Sequence, residues 1–276
     1  VKNVDRDTVK QAIQEGEPAK RNATLKGVNR ALEVLEYIAE NPGRAIDISE
    51  GLDISWATLH RTLKQLEIGG FLSKSPNTNR YRVGSRMWFI GSTYIASHPF
   101  LEPARAHLNK AAKNSQITVQ LVERSKVQAT VLYNSNSENT VTRAAVGYHF
   151  PLHAGSKGQV LLAYSSPEFI KNYLKSDLVK LTANTETDTE KLIQRIEQIR
   201  TDGYAVTVAD VQLFSGSMAA PVFNEENEII ACVCFVARKS VLQNEAKFEV
   251  LLEQLIETAQ SISVALGWHP VANQSL

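Results

Sequence analysis

Apolar positions recur at helical spacing three times in residues 25–71, and then begin to alternate. In LKGVNRALEVLEYIAE (25–40), Val28, Ala31, Leu32, Leu35 and Ile38 fall on one face and Glu33, Glu36 and Glu40 lie off it. Asn41-Pro42-Gly43 ends this helix. A second, short helix is expected within Arg44–Asp53, where Ile46, Ile48, Leu52 and then Ile54 can pack on a third. The third spans Ile54–Phe71. Leu59, Leu63 and Leu66 form its stripe, closed by Phe71, and Trp56, His60, Arg61 and Lys64 stand opposite with Thr58 and Gln65 at the edges. Ser55 is placed to cap it and Gly69-Gly70 to stop it. Phe71–Lys74 and Arg80–Val83 then read as two short strands about a turn-rich loop, a β-hairpin.

Helical spacing returns in residues 84–112, with Met87, Phe89, Ile90 and Tyr94, a break at Pro99 and Pro103, and a further helix over Ala104–Ala112. This is a connector whose apolar stripe reads as intramolecular core. From Ile117 the pattern alternates. TVQLVERSKVQATVLYN gives two strands about a Glu-Arg-Ser-Lys turn, and Thr140–Val146 gives another. PLHAGSKGQVLLAYSSPEF is a loop leading into a helix. Helices are expected at Phe169–Leu174 and Asp188–Thr201, and strands at Tyr204–Ala209, Ser217–Phe223 and Ile229–Ala237. Asn244–Trp268 is a long closing helix that buries Phe248, Leu251, Leu252, Leu255, Ile256 and Ile262. Antiparallel strands grouped with helices before, between and after them make an α+β domain. Residues 1–24 show little periodicity and read as a flexible N-terminal arm carrying the basic pair Lys20-Arg21.

A length of 276 residues suggests two domains, and 43% hydrophobic with 21% charged residues is the composition of a soluble globular protein. No run approaches the ~20 apolar residues of a membrane span, and the first twenty residues hold no secretory segment. A cytoplasmic protein without membrane contact is expected. Cys232 and Cys234, two apart on a strand, suit neither a disulfide nor a zinc set and read as buried small residues. The net charge of +1 conceals an asymmetry. Residues 31–53 carry six acids against Arg44, whereas residues 54–90 carry six bases against Glu67. Phosphate binding needs local positive potential, not a basic protein. Two short helices, a tight turn and a basic outer face make a helix-turn-helix that lays its second helix in a DNA major groove. The hairpin is then a wing that turns Lys74, Arg80 and Arg82 toward phosphates, and Arg30 lies near the start of the first helix. A merely solvated helix face is the plain alternative.

LKGVNRALEVLEYIAENP, SWATLHRTLKQLEIGGFL and NRYRVGSRM together resemble the winged helix-turn-helix of the IclR family of bacterial transcriptional regulators. Thr58, His60, Arg61, Leu63, Leu66, Glu67, Gly70 and Phe71 match that family's recognition-helix signature. Trp56 and Ala57 depart from it, standing where a basic residue and a serine are usual. PLHAGSKGQVLLAY and IRTDGYAV…MAAPVFNEENEIIACVCFVA resemble the same family, so the likeness covers roughly residues 25–267.

The resemblance implies a winged helix-turn-helix over residues 25–86, a linker helix over 87–100 and a GAF-like effector-binding domain over 101–276, with an antiparallel sheet flanked by helices. It also implies a homodimer or a dimer of dimers, with the linker in the dimer contacts, bound to double-stranded operator DNA. Ser55, Trp56, Thr58, His60, Arg61 and Lys64 then face DNA together with Arg30 and the wing.

No catalytic fingerprint is present: no G-x-S-x-G, H-E-x-x-H, S-x-x-K, Walker loop or dinucleotide motif. No enzyme, metal or cofactor is expected. The Gly155–Gly158 loop before a helix could cradle an anion but lacks nucleotide-loop spacing, and His153 has no catalytic partner in sequence reach. By resemblance the effector cavity is lined by His153, Gly155, Ser156 and Lys157, by Ser217, and by Cys234 and Val236, where many members carry serines. Phe150 and Phe214 are aromatic candidates nearby. Such a pocket suits an organic acid that is aromatic or otherwise apolar, with Lys157 either paired to its carboxylate or turned to solvent. The competing reading is a sensing or enzymatic domain whose winged helix makes protein contacts only.

Overall fold

The computed structural model describes residues 26–135 and 145–269, which divide into two compact units between His98 and Pro99. The arm over residues 1–24 and most of the strand expected at Thr140–Val146 lie outside the described residues. Val146 itself is in a turn.

The first unit runs α1 (Lys26–Glu40), β1 (Gly43–Arg44), α2 (Ala45–Leu52), α3 (Trp56–Ile68), β2 (Leu72–Lys74), β3 (Arg80–Val83) and α4 (Ser85–Ala96). Its core is Val34, Ile38, Ile48, Leu59, Leu63, Leu72 and Tyr81, so α2 and α3 are pinned through one apolar side each. Asp53, with φ of +51°, takes the left-handed conformation that stops α2 and makes the turn into α3 tight. The wing is a three-stranded antiparallel sheet in the order β1-β3-β2. Two-residue β1 was not legible as a strand; it pairs Gly43 with Tyr81 and Arg44 with Arg80.

Three expectations need correction here. On α1 the buried residues are Val34 and Ile38, one turn apart, whereas Val28 and Leu32 are 58% and 52% exposed. Ser55 occupies the N-cap position of α3 without capping, because its hydroxyl donates to Thr58 Oγ1 at 2.9 Å and accepts no helix N–H. The connector stripe is not core: α4 has no buried residue, Trp88 is 79% exposed, and Phe89, Ile90 and Tyr94 are exposed beside it.

The second unit runs α5 (Leu101–Ser115), β4 (Thr118–Ser125), β5 (Gln128–Asn134), β6 (His149–Pro151), α6 (Gly155–Ala163), α7 (Pro167–Tyr173), α8 (Thr189–Asp202), β7 (Ala205–Val208), β8 (Ser215–Phe223), β9 (Ile229–Arg238), α9 (Lys239–Leu242) and α10 (Glu245–Ala265). Helix α5 starts before Pro103, since a proline in the first turn removes no helical hydrogen bond. The strands form one antiparallel sheet in the order β6-β5-β4-β9-β8-β7. Helix α6, buried along its whole length, lies against β4, β5, β7, β8 and β9 with α8 packed on it. Cys232, Cys234 and Val236 face this layer, so alternation turns Val233 and Phe235 to the opposite face, where α5 and α10 pack. Both cysteines are free thiols and fully buried. On α10 the buried side is Leu251, Leu255, Thr258, Ala259, Ile262 and Ser263, while Phe248, Leu252 and Ile256 are only partly covered.

Candidate functional site

Two regions, one in each unit, carry chemistry that packing does not use up. The first is the outer face of α3. Leu59 and Leu63 point inward and are fully buried, so the intervening positions must point out. Trp56, His60, Arg61 and Lys64 are all exposed and Thr58 is half-buried. The Trp56 and His60 rings stand 6.0 Å apart, one turn along the helix. Among the described residues neither Arg61 nor Lys64 enters an ion pair, which leaves both cations available to an external anion.

The wing cations are partly committed. Arg82 Nε donates to Ser73 Oγ at 3.1 Å across the β2–β3 pair, and Lys74 Nζ lies 5.5 Å over the Tyr81 ring. Arg80 donates to the Pro42 carbonyl and so ties β3 to the turn after α1. All three remain exposed. Arg30 is half-buried near the start of α1. Arg44, the base of the acidic half, is held by Asp47 at 3.3 Å, and that contact pulls the Asp47 carboxyl below its ordinary value.

The second region is a small cavity of about 30 Å³ on the α6 side of the six-stranded sheet. Strand register sets its floor. Thr207 on β7 pairs with Ser217 on β8, and Ser217 pairs with Val236 on β9, so the three share one face in a row. In the next row Cys234 stands beside Gln120 of β4. Phe150, Lys157, Asp210 and Val211 complete the walls with Ser215.

The polar groups are ordered across long sequence distances. Ser156 Oγ donates to Ser217 Oγ at 2.8 Å, the Ser156 N–H donates to Thr207 Oγ1 at 3.1 Å, and the Thr207 and Ser217 hydroxyls stand 3.2 Å apart. The Gly155 N–H donates to Asp210 Oδ2 at 2.7 Å, so a distant carboxylate satisfies an open donor at the start of α6. Gly155 has φ of +75°, a conformation open to glycine, and a Cβ there would come within 3.0 Å of Val211. Burial raises the Asp210 carboxyl, against the pull of that N–H.

Lys157 is the basic member. It is 4% exposed, its ammonium donates to Gln120 Oε1 at 2.8 Å, and it sits 3.9 Å from the centre of the Phe150 ring. Burial lowers its pKa, while the nearby Cys234 and Cys232 thiols act in the opposite sense. Lys157 therefore turns inward to the cavity, not out to solvent.

Four of the nine residues named for this site line the cavity: Phe150, Lys157, Ser217 and Val236. Gly155, Ser156 and Cys234 stand behind it; Ser156 links α6 to Ser217 of the sheet, with Cys234 Sγ 3.9 Å from its hydroxyl. Two candidates need correction. His153 is spent on structure: Nδ1 lies 2.9 Å from the Tyr173 hydroxyl and Nε2 lies 3.0 Å from the Val179 carbonyl. Burial lowers the His153 pKa and pushes Tyr173 up to about 12, which keeps both neutral. Phe214 is 77% exposed and forms no part of the walls. Asp210 and Thr207 were missed. The one available signal was Ala209-Asp210 just after a strand, where a short acid suits a turn. Among the described residues no cluster of His, Cys, Asp or Glu could hold a metal ion, and no helix is long and apolar enough to cross a membrane.

Comparison with known proteins matches residues 27–76 to the IclR helix-turn-helix domain and residues 92–264 to the C-terminal domain of bacterial transcriptional regulators of the IclR type. The chain is similar to the DNA-binding transcriptional repressor YiaJ of Escherichia coli K12, 26% identical over 255 residues and 90% of each chain. An IclR transcriptional regulator from Alicyclobacillus acidocaldarius superposes with a TM-score of 0.75 at 26% identity, over 87% of this chain and 98% of that one. An IclR homologue from Microbacterium hydrocarbonoxydans, solved in complex with 4-hydroxybenzoate, has the same fold, with a TM-score of 0.75 at 24% identity over 87% of this chain and 99% of that one.

Proposed function

Since the chain belongs to the IclR family of bacterial transcriptional regulators, we propose that it binds operator DNA as a homo-oligomer and that a small organic acid in the α6 cavity changes that binding. The observation that carries the reading is α3 itself, with leucines committed to the core and Arg61, Lys64, His60 and Trp56 left in solvent on one face. That surface fits a major groove, and the exposed Lys74 and Arg82 of the wing fit the flanking phosphates. Trp56 supplies an apolar surface suited to a thymine methyl. Exposed Trp88, Phe89, Ile90 and Tyr94 on α4 supply an apolar surface for a second copy, and two recognition helices about 34 Å apart would then grip half-sites one turn apart.

The effector reading rests on Lys157, a buried cation beside a cavity whose hydrogen bond goes to a neutral amide. A carboxylate is the group it lacks. Phe150 and Val236 favour a flat or apolar body on the acid, although Thr207, Ser215 and Ser217 make the lining more polar than the sequence suggested. The relative solved with 4-hydroxybenzoate binds an acid of this class. The effector acts by linkage: it binds one arrangement of the paired subunits better, and the separation of the recognition helices follows.

Gel-shift and footprinting on fragments recovered by genomic pull-down test the DNA reading. Arg61→Ala costs about 1–3 kcal/mol of operator affinity if it meets a base edge, and affinity falls steeply with salt. An unchanged shift rejects it. Calorimetry with benzoates against glyoxylate and pyruvate tests the acid; tighter binding of the short acids rejects the apolar preference.

A further inference from the structure

Lys157 and Asp210 line the same cavity, yet neither neutralises the other. Lys157 stands on α6 and Asp210 on the connection between β7 and β8, and among the described residues they form no ion pair. An ammonium has three donors; here one goes to Gln120 Oε1, and the Gln120 amide is itself occupied by Asn134 at 2.8 Å. Asp210 is 3% exposed; Oδ2 takes the Gly155 N–H, and Oδ1 has no hydrogen-bond partner. The hydroxyls between them do not share this shortage, since Ser156, Thr207 and Ser217 bond to one another. The cavity therefore presents two buried groups of opposite sign that are in no ion pair among the described residues: Lys157 has the Phe150 ring and the Gln120 amide beside it, and Asp210 feels the charge of Arg195 without pairing to it.

Buried charges left uncompensated are costly, and a ligand that answers only one leaves the other exposed to repulsion. A plain carboxylate would satisfy Lys157 and bring a second negative charge toward Asp210. We propose that the ligand of this cavity is an amino-acid-like zwitterion, with its carboxylate at Lys157 and its ammonium at Asp210. The proposal rests on the reading of the cavity as the effector site and narrows the ligand within it. Burial drives both side chains toward their neutral forms, the Lys157 amine downward and the Asp210 carboxyl upward. A zwitterion supplies each with the partner that restores its charge. Phe150 and Val236 supply apolar lining for the ligand's carbon body.

The test is calorimetric titration of the full chain with two matched sets: alanine, propionate and ethylamine; and phenylalanine, 3-phenylpropionate and 2-phenylethylamine. In at least one set the amino acid binds about tenfold or more tightly than either analogue lacking one charge. Asp210→Asn, which keeps an acceptor for the Gly155 N–H, removes that advantage and leaves the affinity of the plain acid unchanged or improved. Lys157→Met removes binding of acid and amino acid alike. If the plain acid equals its amino acid in both sets, the zwitterion is wrong and the effector site stands. If no carboxylate binds at all, the effector reading fails with it. The comparison of ligands on the unaltered chain decides the matter even if Asp210→Asn does not fold.

Discussion

The outer face of α3 and the cavity under α6 do opposite things with polar side chains. On α3 the polar groups point away from the core and Arg61 and Lys64 are in no ion pair among the described residues; the fold contributes only a rigid edge to hold them. Around the cavity the polar groups point inward, and residues 37 to 61 positions apart hold one another in place, as Lys157 holds Gln120 and Ser156 holds Ser217. A surface of the first kind recognises a polyanion through charge at low structural cost. A site of the second kind has already given up solvation for its charges, so it discriminates by which of them a ligand restores. A regulator needs both: one region that grips and one whose occupancy is worth enough to alter the grip.

The contrast predicts that substitutions on the two faces of α3 separate stability from DNA affinity. Leu63→Ala, at a fully buried position, costs about 2–5 kcal/mol in urea unfolding of the first unit, whereas Arg61→Ala changes that stability by less than about 0.5 kcal/mol. Equal losses would erase the distinction. Arg82→Ala weakens binding about equally across DNA sequences and lowers the slope of log affinity against log salt by about 1, as a phosphate contact should; sequence-selective loss would move Arg82 to the base edges.

On the cavity side, the contribution of His153 to the stability of the second unit is lost as pH falls. The His153 imidazole is held below its ordinary value of 6.5, so below that pH the unfolded chain takes up a proton that the folded one resists, and above it the contribution is intact. Chemical denaturation at pH 7.5 and 5.5 shows a smaller drop for His153→Gln than for the parent. His149 is shifted the same way and Asp210 oppositely, so the comparison of variant with parent, not the absolute slope, carries the test. The smallest effect is Ser55→Ala. A capping serine costs about 0.5–2 kcal/mol on removal, but this one makes no cap bond, so the thermal midpoint stays nearly fixed.

The two regions also differed in how much the sequence disclosed. Helix α3, its leucine stripe and the wing were legible because they follow from periodicity within about twenty residues. Where local periodicity misled, tertiary context was the cause. The Val28–Leu32 side of α1 is apolar but the core lies on the Val34–Ile38 side, and the stripe of α4 finds no core within its own unit. The cavity was legible only in part. Register across β7, β8 and β9 puts Thr207, Ser217 and Val236 in one row, and no local pattern encodes that pairing. Asp210 was missed because its role lies 55 positions away at Gly155. Phe214 was included because aromatic residues favour pockets, yet the turn into β8 leaves it in solvent.

The claim that joins the regions is that the cavity and the α3 face are thermodynamically linked. Operator affinity measured by fluorescence anisotropy with and without saturating ligand, set beside ligand affinity measured with and without saturating operator, tests it most directly. Linkage between the sites gives a change of about 5–150-fold, by the same factor in both directions. Operator affinity that does not respond to a ligand bound in the cavity would contradict it.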